Sequence, residues 1–200
     1  IKFFFKKLIP SIFSSGITQI NILVGTIIAS FQTGAVSYLY YADRVYQINL
    51  AVAGIAIGTV MLPELSKNIK NKDYKKTLDL QNRSIELCLF LSIPAAIALV
   101  LASKEIITSL FGYGSFNIES VNNTAIALTF FALGVPAFSI LKIFSNFFFA
   151  RNNTKLPFYL SVISVILNIL ISVSFFSKIG FVIIPIATSI SSWVNVSLYY

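Results

Sequence analysis

The sequence predicts an all-α polytopic membrane protein of six transmembrane helices. Three observations carry that prediction. Of 200 residues, 56% are hydrophobic and only 11% charged, against about 25% charged in an ordinary soluble domain. Mean hydropathy is +0.84. The apolar residues fall in runs near 20 long, the length needed to cross about 30 Å of hydrocarbon as a helix. A membrane β-barrel would instead show alternating segments of about ten residues.

The spans follow in order. Residues 8–31 carry no charge and form span one. Residues 36–65 form span two, interrupted by Asp43-Arg44. Residues 84–103 form span three, with Pro94 inside, and 121–150 form span four, where Gly134 and Pro136 predict a kink. Residues 156–177 and 181–200 form spans five and six. The charged stretch 66–83 is expected to be a short helix or loop outside the membrane. The chain starts at Ile1 and ends in an apolar run, so it reads as part of a longer polypeptide.

Charge placement orients the helices. The formal charge is +8, from 15 Lys and Arg against 7 Asp and Glu. Eleven of the cations lie in alternate connections: Lys2, Lys6, Lys7; Lys67, Lys70, Lys72, Lys75, Lys76, Arg83; Arg151, Lys155. The opposite connections hold two, Lys104 and Lys178. The positive-inside rule puts the first set in the cytoplasm. The basic balance therefore reflects topology, and no nucleic-acid partner is expected. Membrane lipids are the expected surroundings.

The remaining cations, Arg44 and Lys142, fall inside spans. Charged side chains at membrane depth usually face a pathway or a partner. Span two presents Ser37, Tyr40, Arg44 and Gln47, followed by Ala51, Gly54 and Gly58, at spacings that read as one face. Span four adds Ser139, Lys142 and Asn146, span five Ser161, Ser164, Asn168 and Ser172, and span six Thr188, Ser192 and Asn195. Span one carries Ser11, Ser14, Thr18, Asn21 and Gly25. Each stripe suits tight helix packing, for which Gly54-x-x-x-Gly58 is made; together they suit a shared hydrated cavity. Arg44 could hold an anion there, since its planar fork matches phosphate. Asp43 points elsewhere on the helix and neutralises it poorly.

No catalytic set is legible. There is no His, and the single Cys88 lies in an apolar run and reads as a small core residue. Phe111-Gly112-Tyr113-Gly114 lacks the Lys and helix start of a phosphate cradle. Neither enzyme chemistry, metal nor cofactor is expected.

Residues 34–44, GAVSYLYYADR, followed by Gly54-Ile-Ala-Ile-Gly58-Thr59 and Leu62-Pro63-Glu64-Leu65-Ser66, resemble the MurJ/MviN lipid II flippase family. Two further segments are similar to that family in the same order: Leu110 to Phe116, and Phe149 to Pro157. The resemblance covers essentially the whole chain. It implies the second six-helix lobe of a fourteen-helix, two-lobed transporter in the multidrug/oligosaccharidyl-lipid/polysaccharide exporter superfamily. It implies movement of an undecaprenyl-pyrophosphate-linked peptidoglycan precursor across the bacterial cytoplasmic membrane by alternating access, for cell wall synthesis. The first lobe of the same polypeptide becomes the expected partner, and Arg44 takes the place of a functionally important cavity arginine. The implied substrate-binding set is Arg44, Asp43, Ser37, Tyr40, Gln47, Lys142 and Asn146. Export of another polyprenyl-linked glycan or a drug, and a non-transport membrane scaffold, are the alternatives. The sequence departs from the family pattern at Asn49, Ala51 and Asn153, and lacks carboxylates at Gly25 and Ser172, where some relatives carry them.

Overall fold

Helices dominate because nearly every apolar run is long and leaves its backbone no partner but itself in lipid. The computed structural model describes residues 19–199. The elements are α1 (Gln19–Ser30), α2 (Ala35–Leu50), a π-helical stretch (Ala51–Ala56), α3 (Ile57–Lys70), α4 (Tyr74–Leu101), α5 (Ser103–Phe111), α6 (Ile118–Ala150), α7 (Lys155–Ile179), a 3₁₀ turn (Gly180–Val182) and α8 (Ile183–Leu198). Span one before residue 19, with Lys2, Lys6, Lys7, Ser11, Ser14 and Thr18, lies outside the described residues.

Cross-helix contacts give each helix its direction. In α7 and α8, Ser164 Oγ donates to the Ser191 carbonyl and Asn168 Nδ2 to Thr188 Oγ1. As one number rises the other falls, so the two helices are antiparallel. By length alone, Lys155–Leu198 is a 44-residue apolar stretch; it is in fact a hairpin. The reversal occurs at Gly180, whose φ of 72° favours a residue without Cβ. The Gln32 side chain closes the turn by accepting from the Phe181 N–H at 2.8 Å.

α6 and α8 run parallel: Ser189 Oγ donates to the Phe130 carbonyl and Trp193 Nε1 to the Leu133 carbonyl. The α2–α3 run is also parallel to α6, with Tyr46 packed on Phe131 and Phe138 and Gly58 on Asn146. α1 runs against α8, since Gly25 faces Ile184 while Gln32 reaches Phe181. This alternation of direction matches the six-pass reading.

α6 is the central helix. It contributes the largest share of buried residues, from Val121 through Phe147. It continues as helix through Gly134 and Pro136. Gly134 serves a close approach: a Cβ there would meet Ser189 Oγ of α8 at 2.6 Å. The charged stretch 66–83 is neither a separate helix nor a loop. It is the end of α3, a tight turn with Lys72 at φ 58°, and the start of α4 capped by Asp73. A short amphipathic helix, α5, follows span three and is tied to α6 by Thr129 Oγ1 donating to Ser103 Oγ at 3.0 Å.

Candidate functional site

Arg44 sits on the exposed face of α2 with Ser37 and Tyr40, which lie seven and four residues before it. Its guanidinium carbon stands 4.7 Å from the centroid of the Tyr40 ring, a cation–π contact. Tyr40 in turn meets Tyr41 edge-on, at 5.9 Å between centroids. Tyr41 packs on Phe111 and Phe116 at 4.8 and 5.2 Å, which fixes the start of α2 against the connection from α5 to α6. Neither aromatic anchor stands out from sequence, because Tyr41 and Tyr46 look like two more interfacial tyrosines.

Asp43 is half-buried and, beyond its electrostatic attraction to the adjacent Arg44, makes its hydrogen bonds elsewhere. Gln47 Nε2 donates to its carboxylate, and the Tyr46 hydroxyl interacts with the same group. One helical turn thus occupies the carboxylate and leaves the adjacent guanidinium open. Tyr46 is itself wedged between Phe131 and Phe138 of α6, at 4.9 and 5.4 Å.

The one-face reading of span two does not survive. Ser37, Tyr40 and Arg44 are exposed, whereas Gly54 and Gly58 are buried against α6. Two causes combine. At 100° per residue Arg44 and Gly54 are already some 80° apart, and the π-helical stretch Ala51–Ala56 adds a local change of phase. A Cβ at Gly54 would lie 3.1 Å from the Ser139 backbone, and one at Gly58 would meet the Asn146 amide.

Lys142 and Asn146 therefore belong to the α6 seam that receives Gly54 and Gly58. Lys142 is exposed, Asn146 half-buried and Ser139 fully buried. The parallel register places Lys142 level with residue 56, so it lies roughly 18 Å along the bundle from Arg44 at 1.5 Å per residue. The structure brings Arg44, Tyr40 and Ser37 together, Asp43 and Gln47 together, and Lys142 and Asn146 together. It does not gather all seven into one pocket.

The stripes of spans five and six are packing seams. Asn168 and Ser172 are buried, Asn168 donates to Thr188 Oγ1 at 3.0 Å, and Ser172 Oγ donates to Asn168 Oδ1 at 3.4 Å. Ser189, Ser191, Ser192 and Asn195 are buried as well. The hydrated-cavity reading is thus withdrawn from the α7–α8 seam, where helix-to-helix hydrogen bonds replace water. Among the described residues no cluster of three His, Cys, Asp or Glu could hold a metal ion.

Comparison with known proteins now decides the family. The family model described as "Lipid II flippase MurJ" matches residues 1–200. The chain belongs to the lipid II flippase MurJ family. It is 42% identical over 192 residues to a protein named "Probable lipid II flippase MurJ" from Rhizobium meliloti (strain 1021), covering 96% of this chain and 36% of that one. A protein of the same name from Rickettsia prowazekii (strain Madrid E) is 37% identical over 191 residues, covering 96% and 38%. The chain thus spans a little over a third of the length of these MurJ relatives. A solved structure described as "Lipid II flippase MurJ, inward closed conformation" superposes with a TM-score of 0.87 at 31% identity, covering 96% of this chain and 40% of that one. An outward-facing multidrug resistance MATE family transporter superposes with a TM-score of 0.82 at 19% identity, which speaks to the fold alone.

Proposed function

We propose that this chain is one lobe of a flippase that carries lipid II, an undecaprenyl-pyrophosphate-linked peptidoglycan precursor, across the bacterial cytoplasmic membrane. The whole protein acts as a transporter, without making or breaking covalent bonds. A polar headgroup must cross hydrocarbon while its polyprenyl tail stays in lipid. The protein therefore has to replace the water around a pyrophosphate, and a guanidinium does so with paired charge-assisted hydrogen bonds.

The observation that carries the reading is the state of Arg44. Its nearest carboxylate is occupied by Gln47 and its own cation rests on the Tyr40 ring, so the charge is held in place and still available to an anion. Ser37, one face with Tyr40 and Arg44, supplies a further hydroxyl. Lys142 and Asn146 offer a second polar contact about 18 Å along the α2–α6 seam. Movement of this lobe against the first would open the site to alternate leaflets. The basic connections, at Lys67 to Arg83 and at Arg151 to Lys155, face the cytoplasm in this reading.

The test is complementation of a flippase-depleted strain by the full-length protein carrying Arg44→Ala. Loss of growth at normal expression is the expected result, with the lipid-linked precursor accumulating on the cytoplasmic side. Full growth, or accumulation of a different lipid-linked intermediate on depletion, would contradict the proposal.

A further inference from the structure

We infer that the cleft between the end of α3 and the start of α4 is a binding site for a phospholipid whose headgroup carries both a phosphate and a primary ammonium. The occupant is of the phosphatidylethanolamine type. This inference is independent of what the protein transports.

The first argument is the outer row of α4. Leu87, Phe90, Ile97 and Leu101 are all exposed and share one helical line with Pro94. That row has no polar member, so it faces acyl chains and not a polar pathway. Continued toward the N-terminus at the same spacing, the line runs through exposed Arg83, half-buried Leu80 and exposed Lys76, with exposed Asp79 beside it. A single face thus changes from apolar to charged at Arg83. From Arg83 to Leu101 the helix rises about 27 Å, close to the hydrocarbon thickness of roughly 30 Å. Arg83 therefore stands at the phosphate level of the lipids that cover Leu87 and Phe90.

The second argument is the cleft itself. It encloses about 190 Å³ and is lined by Glu64, Asn68, Lys76, Asp79, Leu80 and Arg83. The lining balances two cations against two carboxylates, with one amide. Lys76 already shares its charge with Asp73 at 3.0 Å, which leaves Arg83 as the cation free for phosphate. Glu64 and Asp79 remain to accept hydrogen bonds. An anionic headgroup such as glycerol phosphate would meet those two carboxylates unfavourably. A choline headgroup has no N–H to give them. An ethanolamine headgroup satisfies both sets at once.

The test uses the full-length protein in detergent, incubated with equimolar phosphatidylethanolamine, phosphatidylcholine and phosphatidylglycerol of identical acyl chains. Retained lipid is counted by native mass spectrometry. Phosphatidylethanolamine should be retained about threefold to fivefold over the other two, the ratio an exposed ion pair supports. Glu64→Gln with Asp79→Asn should reverse the order in favour of phosphatidylglycerol, because Arg83 is then unopposed. Arg83→Ala should lower retention of phosphatidylethanolamine to the level of phosphatidylcholine. Equal retention of the three lipids by the unaltered protein, or an unchanged order in the double variant, overturns the inference.

Discussion

The Arg44 guanidinium lies over the Tyr40 ring, 4.7 Å from its centroid, one turn along the exposed face of α2. The ring holds the cation without neutralising it, because an aromatic face offers attraction but no counter-charge. Tyr40→Phe should keep transport near the unaltered level, since the ring remains. Tyr40→Ala should reduce it about twofold to fivefold, the equivalent of one exposed cation–π contact. Transport by the full-length protein in vesicles, at matched expression, measures the difference. Equal loss in both variants would assign the role to the hydroxyl instead.

Exposure along the polar stripes separates an open face from a sealed seam. A cysteine placed at Ser37 should react with a membrane-impermeant thiol reagent, whereas cysteines at Ser139 and Asn168 should not. Ser37 is exposed, while Ser139 and Asn168 are 0% and 5% exposed. The native Cys88 is fully buried and should add little background. Strong labelling at position 168 would reopen the α7–α8 seam as a water pathway.

The glycines of span two should differ in tolerance. At Gly54 an added Cβ meets the Ser139 backbone at 3.1 Å, and a backbone cannot step aside. At Gly58 it meets the amide end of Asn146, which can turn away. Gly54→Val should therefore cost about 1–3 kcal/mol, as overpacking does, and Gly58→Ala less. Thermal unfolding in detergent checks the order.

A buried polar pair ties α7 to α8 within their packing seam. Asn168→Leu removes the bond to Thr188 and the acceptor of Ser172. The expected cost is about 1 kcal/mol, in the range measured for hydrogen bonds between membrane helices. A double-mutant cycle with Thr188→Val isolates the pair.

The turn before α4 should respond to acid. Asp73 accepts from the Lys76 N–H at 3.1 Å and pairs with its ammonium, and these contacts hold its carboxyl below the usual carboxylate range. A carboxyl whose folded value is lowered stabilises the folded state above its unfolded value. That contribution fades as pH falls through the lowered value. Amide exchange at Lys76 and Thr77 should accelerate, relative to the intrinsic rate, as pH drops below about 4. Asp73→Asn keeps a side-chain cap and should remove the pH dependence.

The helical fold was legible because lipid imposes a simple rule on length and charge. Run lengths and the scarcity of charge were enough to predict a bundle of long apolar helices. The candidate site was legible in part. Arg44 and Lys142 stood out because charge in a span is rare, and the small residues of Gly54-x-x-x-Gly58 announced a close contact. What could not be read was the partner of each polar group. Asn168 and Arg44 look alike in a list of polar span residues, yet one is sealed against Thr188 and the other is open. Only the pairing of α7 with α8 tells them apart. The split of 66–83 into two helix ends was likewise hidden, since it turns on Lys72 taking a left-handed conformation and Asp73 capping the next helix.

The π-helical stretch Ala51–Ala56 works as a swivel between two halves that obey different constraints. Gly54 within it and Gly58 just after it dock on α6; before it, Arg44 rests on Tyr40 while Tyr41 and Tyr46 anchor α2 by aromatic packing. Dropping one residue from that stretch would return the run to ordinary helix and turn the Arg44 end by about 100° relative to the docked end. The direction in which this cation points is thus written in a backbone count at Ala51–Ala56, two turns away from the side chain itself.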